Sequence, residues 1–387
     1  MSMKIIIGGM ISIPPFAPGI AWDWMQIAVG LRRLGHDIYY VEQVHPKWCS
    51  NAQGNPCDYA DSLNRELFRS IMNRFELGAS ACQIYDDGEA TMGLSLQALE
   101  SIAKEADLLI NQSGHVTHQA VLGNVRRRAY IDQDPVFTQL WRSEYQKDLN
   151  LGAHDVFFTV GLNIGTSHTP IPDCGIPWHH TLPLIVPEYW PFEIDPTCEQ
   201  FTTVATWYDN YSELVYQGES YGSKSEELLR FANLPGVAKQ KCEVSLKDTI
   251  CPRDEAQLAE MRRGGWTVSS AARLADLGAY QQYIRNSRAE IGIAKNAYVK
   301  SRCGWFSDRA GHYLASGKPV LAQSTGFERT LPTGRGLLSF STMEEAIDGI
   351  ERINRDYATH CRAARAFAIE HLHYSNVLAR FLEDCGL

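Results

Sequence analysis

Residues 295–328 read KNAYVKSRCGWFSDRAGHYLASGKPVLAQSTGFE. The stretch has the pattern of a loop, a helix and a strand. Ser307 stands where its oxygen can cap a helix that Asp308 opens, because a first helical turn leaves N–H groups unpaired. Gly317 lets that helix stop, and Pro319 prevents it from resuming. KPVLAQ (318–323) then reads as a short strand. A helix start offers N–H groups and partial positive charge to an anion, and Arg309, one turn in, can add a two-pronged charged contact. The surroundings agree. Residues 285–335 hold nine basic side chains (Arg285, Arg288, Lys295, Lys300, Arg302, Arg309, Lys318, Arg329, Arg335) and three acidic ones (Glu290, Asp308, Glu328). The whole chain has 36 basic and 45 acidic residues, a net charge of −9. One basic window in an acidic chain suits a small anion; a solvated charged face is the other reading.

Working outward, strands and helices alternate on both sides. After the window come GLLSF (336–340) and two long helices, 342–355 and 357–371, with a tail to Leu387. Before it come AEIGIA (289–294) as a strand and 278–286 as a helix. Earlier still stand KCEVSL (241–246), a helix at 223–234 and FTTVAT (201–206). Residues 170–196 carry seven prolines and read as an extended linker. Ahead of that linker the alternation appears again. Met3 to Gly8 is a continuous apolar run, as expected of a strand covered on both faces. A loop with Gly8, Gly9, Pro14, Pro15 and Gly19 follows. Trp22, Met25, Ile27, Val29, Leu31 and Leu34 then give a helical face that Gly35 ends, and DIYYVE (37–42) resumes as a strand. Further helices fall at 61–77 and 95–105, and further strands at 107–111, 128–132 and 155–160. Repeated strand–helix–strand units predict parallel sheets. The fold class expected is α/β, with two Rossmann-like domains facing a cleft. Residues 1–180 form the first domain, 181–370 the second, and 371–387 a tail packing back on the first.

The 295–328 stretch resembles the C-terminal domain of group 1 sugar-nucleotide glycosyltransferases of the GT-B fold. In that family an aromatic segment opens a helix that ends A-x-G-x-P-V into a strand. Trp305-Phe306-Ser307 and Ala315-Ser316-Gly317-Lys318-Pro319-Val320 match it, followed by the small-residue turn Ser324-Thr325-Gly326 and Glu328. Retaining members carry two glutamates eight positions apart; here those places hold Gly304 and His312. Arg309, three residues before the second place, resembles the spore-maturation type of the domain. The resemblance implies transfer of a sugar from a nucleotide-diphosphate sugar to a small-molecule or glycan acceptor. It implies a donor site of Lys247, Lys295, Asn296, Phe306, Ser307, Asp308, Arg309, His312, Thr325, Gly326 and Glu328. His312 would reach the ribose diol; a helix histidine packed at a domain surface is the other reading. A sugar-nucleotide epimerase of the same fold and a non-catalytic sugar-nucleotide binder are the alternatives.

The first domain would hold the acceptor. A transfer with inversion needs a base for the acceptor proton, and a carboxylate or histidine just beyond a strand is well placed. His115, after DLLIN, and Asp132 and Asp134, after RAYID, are the candidates; Asp132 and Asp134 could instead bond the turn before Pro135.

Composition narrows the rest. Charged residues make up 21% and hydrophobic ones 44%, ordinary globular usage. No apolar stretch is long enough for a transmembrane helix. The acidic balance argues against a nucleic-acid partner. Ten cysteines form no C-x2-C pair, so no zinc or redox spacing appears and free thiols in a cytoplasmic protein are expected. The histidines lack ligand spacing, so no metal site is expected. The glycine loop lacks G-x-G-x-x-G, which disfavours a nicotinamide enzyme. No permanently bound cofactor is expected, and nothing opposes a homodimer.

Overall fold

The computed structural model describes residues 2–13, 17–208, 214–247 and 254–387. Pro14 and Pro15 of the first loop lie outside them. The first half is built around Lys4–Gly8 (β1), whose three isoleucines are fully buried. Branched side chains pack well there because helices cover both faces of a parallel sheet. Seven further strands join it: β2 (Asp37–Val44), β3 (Ala81–Tyr85), β4 (Ala90–Gly93), β5 (Leu108–Gln112), β6 (Arg128–Asp132), β7 (Val156–Thr159) and β8 (Trp178–His180). Their order is β4-β3-β2-β1-β5-β6-β7-β8, and only β3 with β4 is antiparallel. Helices α1 (Pro18–Arg33), α2 (Leu63–Arg74), α3 (Leu96–Glu105), α4 (Gln119–Leu122) and α5 (Phe137–Ser143) connect them.

The second half repeats the plan. Its sheet runs β13-β12-β9-β14-β15-β16, all parallel. The strands are β9 (Phe201–Thr206), β12 (Cys242–Lys247), β13 (Trp266–Ser270), β14 (Ala289–Gly292), β15 (Val320–Gln323) and β16 (Leu337–Phe340). A small antiparallel hairpin, β10 (Leu214–Tyr216) with β11 (Glu219–Tyr221), stands apart from it. The helices are α6 (Lys224–Arg230), α7 (Leu234–Ala238), α8 (Glu255–Arg263), α9 (Leu277–Arg285), α10 (Asn296–Ser301), α11 (Asp308–Ala315), α12 (Met343–Arg355), α13 (Tyr357–His371) and α14 (Tyr374–Asp384).

The proline-rich segment is not all linker. Its residues Trp178–His180 pair with β7 as the outermost strand of the first sheet. An edge strand needs a ladder on one side only, so the neighbouring prolines cost it little. The chain then crosses to the second sheet, and at its end it returns. Ile185 exchanges backbone hydrogen bonds with Leu372 and Tyr374. Phe381 of α14 stacks on Phe158 of β7, with ring centroids 4.0 Å apart. Helix α14 lies so close to α1 that a Cβ on Gly30 would sit 2.8 Å from Leu378. One apolar cluster joins α1 to residues of α9, α11 and α13, so the two halves share part of their core.

Candidate active site

Ligands of open parallel sheets settle beyond the carboxyl ends of the strands, where the winding reverses. In the second sheet that point lies between β9 and β14. A pocket opens beside it, lined by Glu290, Gly292, Ile293 and Ala294 of the β14 region, Trp305 to Ser307, Arg309 and Ala310 at the start of α11, Ala322 and Gln323 of β15, and Phe327. Local sequence sets the turns at either end of the elements around it. Gly317 has φ +72° and ends α11, with Lys318 N–H bonded to Tyr313 O at 2.9 Å; a residue with a Cβ would be strained there. Gly326 has φ +91°, and a Cβ on it would meet Asn163 Nδ2 at 2.6 Å.

Ser307 occupies the cap position, but its hydroxyl donates to Asp308 Oδ1 at 3.4 Å and caps no helical N–H. The expected serine cap is therefore absent, and the N–H groups at the start of α11 keep no side-chain partner from it. Arg309 also differs from expectation. Its Nε donates to Glu290 Oε1 at 2.6 Å and its Nη1 to Val204 O at 2.7 Å. Glu290 is fully buried, and its Oε2 has no partner among the described residues. Burial raises the Glu290 carboxyl above its usual value, against the pull of Arg309 and Lys224. Burial, the largest single influence, would lower Arg309; the Glu290 charge and hydrogen bond, together with Tyr280 and Asp308, outweigh it and the net shift is upward. Arg309 thus meets a carboxylate of the neighbouring strand and none three residues on in its own helix.

The other donor candidates divide. Lys295, at the start of α10, reaches Asp134 Oδ1 at 2.8 Å, and Tyr298 OH reaches the same oxygen at 2.9 Å. These contacts bind the second half to the first. Asn296 is turned the other way: it donates to Glu227 at 2.9 Å and accepts from Gly222 N–H. Phe306 is buried against Phe327, centroids 5.4 Å apart. Thr325 is buried and donates to Trp305 O at 2.5 Å. Glu328 accepts from Ser324 at 2.6 Å, and its Oε2 is buried without a partner among the described residues. Lys247 ends β12, and burial lowers its pKa.

His312 is not on the cleft. It is 1% exposed. Its ring stacks on Trp190, centroids 4.3 Å apart and planes 12° from parallel. Gln26 of α1 meets its Nε2 at 3.0 Å and Tyr280 its Nδ1 at 3.3 Å. Burial, then the Arg309 charge, lowers its pKa to about 3. The ribose role expected of it is therefore corrected. Helix α11 turns this face toward α1 and the crossing segment, and a side chain there meets protein.

On the first sheet Asp132 is also corrected. It is fully buried and accepts four hydrogen bonds: Asp134 N–H at 3.0 Å, Thr138 at 2.7 Å, Gln139 at 2.9 Å and Thr159 at 2.8 Å. A carboxylate so occupied organises the turn and has no lone pair to offer an acceptor. Asp132→Asn places an amide N–H₂ against donors. We expect it to cost about 1–3 kcal/mol of folding stability, measured by denaturant unfolding, with nucleotide affinity of the folded protein unchanged. His115 is partly buried beyond β5. Burial lowers its pKa to about 4, with Asp134 opposing and His45 reinforcing, so the ring is neutral near pH 7.

Three residues at the cleft escaped the sequence reading. Lys224 is buried at the start of α6, its Nζ 5.9 Å from the Trp305 ring. Glu290 had a visible signal, a lone carboxylate inside an apolar strand. Asp23 of α1 accepts from Gln133 at 2.8 Å, and its pKa is pushed up to about 8 by burial and then by Asp308 across the interface.

No protein-family model matches the sequence, and no curated protein matches it. Solved structures do. An alpha-glucosyltransferase in complex with UDP and a 13-mer DNA containing an A:G mismatch aligns at TM-score 0.59 with 13% identity over 100% of both chains. Anabaena Alr3699/HepE in complex with UDP and glucose aligns at 0.56 with 13% identity over 98% of each. Sucrose-phosphate synthase from Thermosynechococcus elongatus aligns at 0.52 with 10% identity, over 98% of this chain and 97% of that one. Several of the alpha-glucosyltransferase structures hold DNA. The expectation, drawn from net charge, that nucleic acid plays no part is therefore overturned: a molecule of this architecture is found in complex with DNA. At such identities the likeness is one of architecture. It covers the whole chain, and it gives this protein the GT-B fold, two Rossmann-like α/β halves meeting along a cleft.

Proposed function

We propose that the chain is a glycosyltransferase that moves a sugar from a nucleoside-diphosphate sugar to an acceptor hydroxyl. The observation that carries this reading is the pocket at the switch point of the second sheet, where the start of α11 meets Lys224 and Arg309. A departing diphosphate gains negative charge as its bond to the sugar breaks. Fixed N–H groups and cations stabilise that charge more than they stabilise the ground state. Arg309 bonds Glu290 through Nε and Val204 through Nη1, which leaves Nη2 for such a ligand. UDP stands in the alpha-glucosyltransferase and HepE structures of the same fold, which favours a uridine donor.

In this reading residues 1–180 bind the acceptor, 181–370 the donor, and 371–387 brace the first half. His115 takes the acceptor proton; Asp134, held by Lys295 and Tyr298, orients the loop that faces it. The side-chain cations do the work that a divalent ion does in other transferases. Among the described residues no group of three or more His, Cys, Asp or Glu is arranged to hold a metal.

The test is a thermal-shift screen of uridine, guanosine, adenosine and thymidine diphosphate sugars, followed by transfer assays. A donor at 100 times its dissociation constant adds about 2.7 kcal/mol of stability. The acceptor panel includes glycans, small hydroxyl compounds and duplex DNA, with and without EDTA. Acceptor-dependent release of nucleoside diphosphate that survives EDTA is expected. Lys224→Ala is expected to weaken nucleoside-diphosphate binding about tenfold, roughly 1.4 kcal/mol. Absence of any nucleotide-sugar binding overturns the proposal, and nucleotide release that ignores every acceptor removes the transferase step.

A further inference from the structure

A pair of thiols stands away from the donor pocket, at the neck of the segment that leads from β2 to α2. Ser50 and Pro56 form an antiparallel bridge. On one side of it Cys57 N–H donates to Cys49 O at 3.3 Å, and on the other Asn51 N–H donates to Asn55 O at 2.9 Å. Bonds one residue to either side of a bridge place Cys49 and Cys57 directly opposite each other, joined by that single bond, since Cys49 N–H donates to Pro46 O at 3.1 Å. Opposed residues send their side chains to the same face. Directly opposed residues of an antiparallel pair have Cα atoms roughly 4.5–5.5 Å apart, inside the window of roughly 4.4–6.8 Å that a disulfide needs. Both thiols are free in this structure.

The neck is held from outside. Leu63 N–H donates to Ser50 O at 2.8 Å. Ser50 N–H donates to Asn64 Oδ1 at 3.1 Å. Tyr59 stacks on Tyr85 of β3, centroids 4.6 Å apart. The opposition of the two cysteines therefore belongs to the fold and does not depend on a chance loop conformation. Access is unequal: Cys49 is 2% exposed, while Cys57 is partly exposed. A reagent meets Cys57 first, and Cys49 waits behind it.

We propose that Cys49 and Cys57 form a reversible dithiol–disulfide site, oxidised by a small disulfide of the glutathione class, that clips residues 50–56 into a closed loop. The Cys57 thiolate attacks one sulfur of glutathione disulfide, forming a mixed disulfide and releasing one glutathione thiolate. The Cys49 thiolate then attacks Cys57 Sγ and releases the second. Two cysteine sulfurs are oxidised, the one disulfide is reduced, and the two thiol protons end on two glutathione molecules. The clip lies beside the acceptor side of the cleft, since His45, four residues before Cys49, acts electrostatically on His115. Partial burial and the Asp61 and Asp58 carboxylates hold the Cys57 thiol above its usual value. Clip formation therefore speeds up as the pH rises toward the range where Cys57 ionises, which lies above that of an unperturbed thiol.

The full-length folded chain is incubated with glutathione disulfide, its remaining thiols are alkylated, and it is digested with trypsin. Cleavage after Lys47 and Arg65 leaves both cysteines in one peptide, residues 48–65. That peptide is expected to lose the mass of two hydrogens, to take no alkyl group, and to regain both thiols with dithiothreitol. In Cys49→Ala the resolving sulfur is gone, and Cys57 is expected to retain one glutathionyl group. A peptide from the unaltered chain that keeps two alkylatable thiols, or one that keeps glutathione on Cys57, overturns the proposal. So does a disulfide joining either cysteine to a different partner.

Discussion

Arg309→Ala is expected to cost about 3–5 kcal/mol of folding stability, the usual price of leaving one partner of a buried ion pair behind. The partner is Glu290, fully buried in a central strand and bonded to Arg309 Nε at 2.6 Å. Without the guanidinium its charge has only the more distant Lys224 to offset it. The sign of the pH dependence follows. The folded-state pKa of Glu290 is already raised by burial and rises further in the variant. Between the unfolded value, about 4.3, and that higher value the folded chain holds a proton that the unfolded chain has lost. Stability then falls as pH rises through this window. The deficit of Arg309→Ala should thus be smaller in mild acid than at neutral pH. Arg309→Lys keeps the charge but loses the planar fork that serves Glu290 and Val204 together, so it should fall between the two. Removing both charges with Arg309→Met and Glu290→Gln should recover much of the loss. Chemical unfolding of the four proteins at pH 5.5 and 7.5 measures each term. An Arg309→Ala protein as stable as the parent would show that the pair does not form.

His312→Glu would place here the residue type that retaining members of the resembled family carry, and it is expected to destabilise the protein by about 3–5 kcal/mol. The side chain there lies between Trp190, Gln26 and Tyr280. Gln26 is itself committed, since its Oε1 accepts from Val186 N–H at 2.9 Å and Trp190 Nε1 at 2.7 Å. A carboxylate in this space would be buried without a cation directly against it. His312→Gln keeps a neutral hydrogen-bonding group and should cost far less. The native histidine has its own pH signature. Its folded pKa is lowered to about 3, against about 6.5 unfolded. Below that unfolded value the unfolded chain binds a proton that the folded chain refuses, so stability declines as the solution is acidified. His312→Gln should remove up to about 1.4 kcal/mol per pH unit from that slope. Unfolding free energies from pH 4.5 to 7 test it, and an unchanged slope would place His312 in contact with solvent.

These two residues show where sequence and structure part. The α/β alternation was legible because it rests on local rules. Apolar runs such as Ile5 to Ile7 mark strands covered on both faces, and a Gly317 with φ +72° followed by Pro319 ends a helix wherever the helix lies. The position of α11 between two strands, with its start beside a crevice, followed from the same local signals. What no local signal carried was the far side of each side chain. Arg309 and Glu290 are 19 residues apart, Lys295 and Asp134 are 161 apart, and Gln26 and His312 are 286 apart. Periodicity says which face of α11 is apolar, but not that α1 from the other half of the chain covers His312. The residue order likewise cannot say that four donors close around Asp132. Strand order, sheet twist and the crossing segment bring those groups together, and burial then sets their charge. The sequence alone determined the central strands and helices of each half and the crevice; edge strands such as Trp178–His180 needed a neighbour to pair with, and the packing of one half against the other decided which residues there are free to meet a ligand.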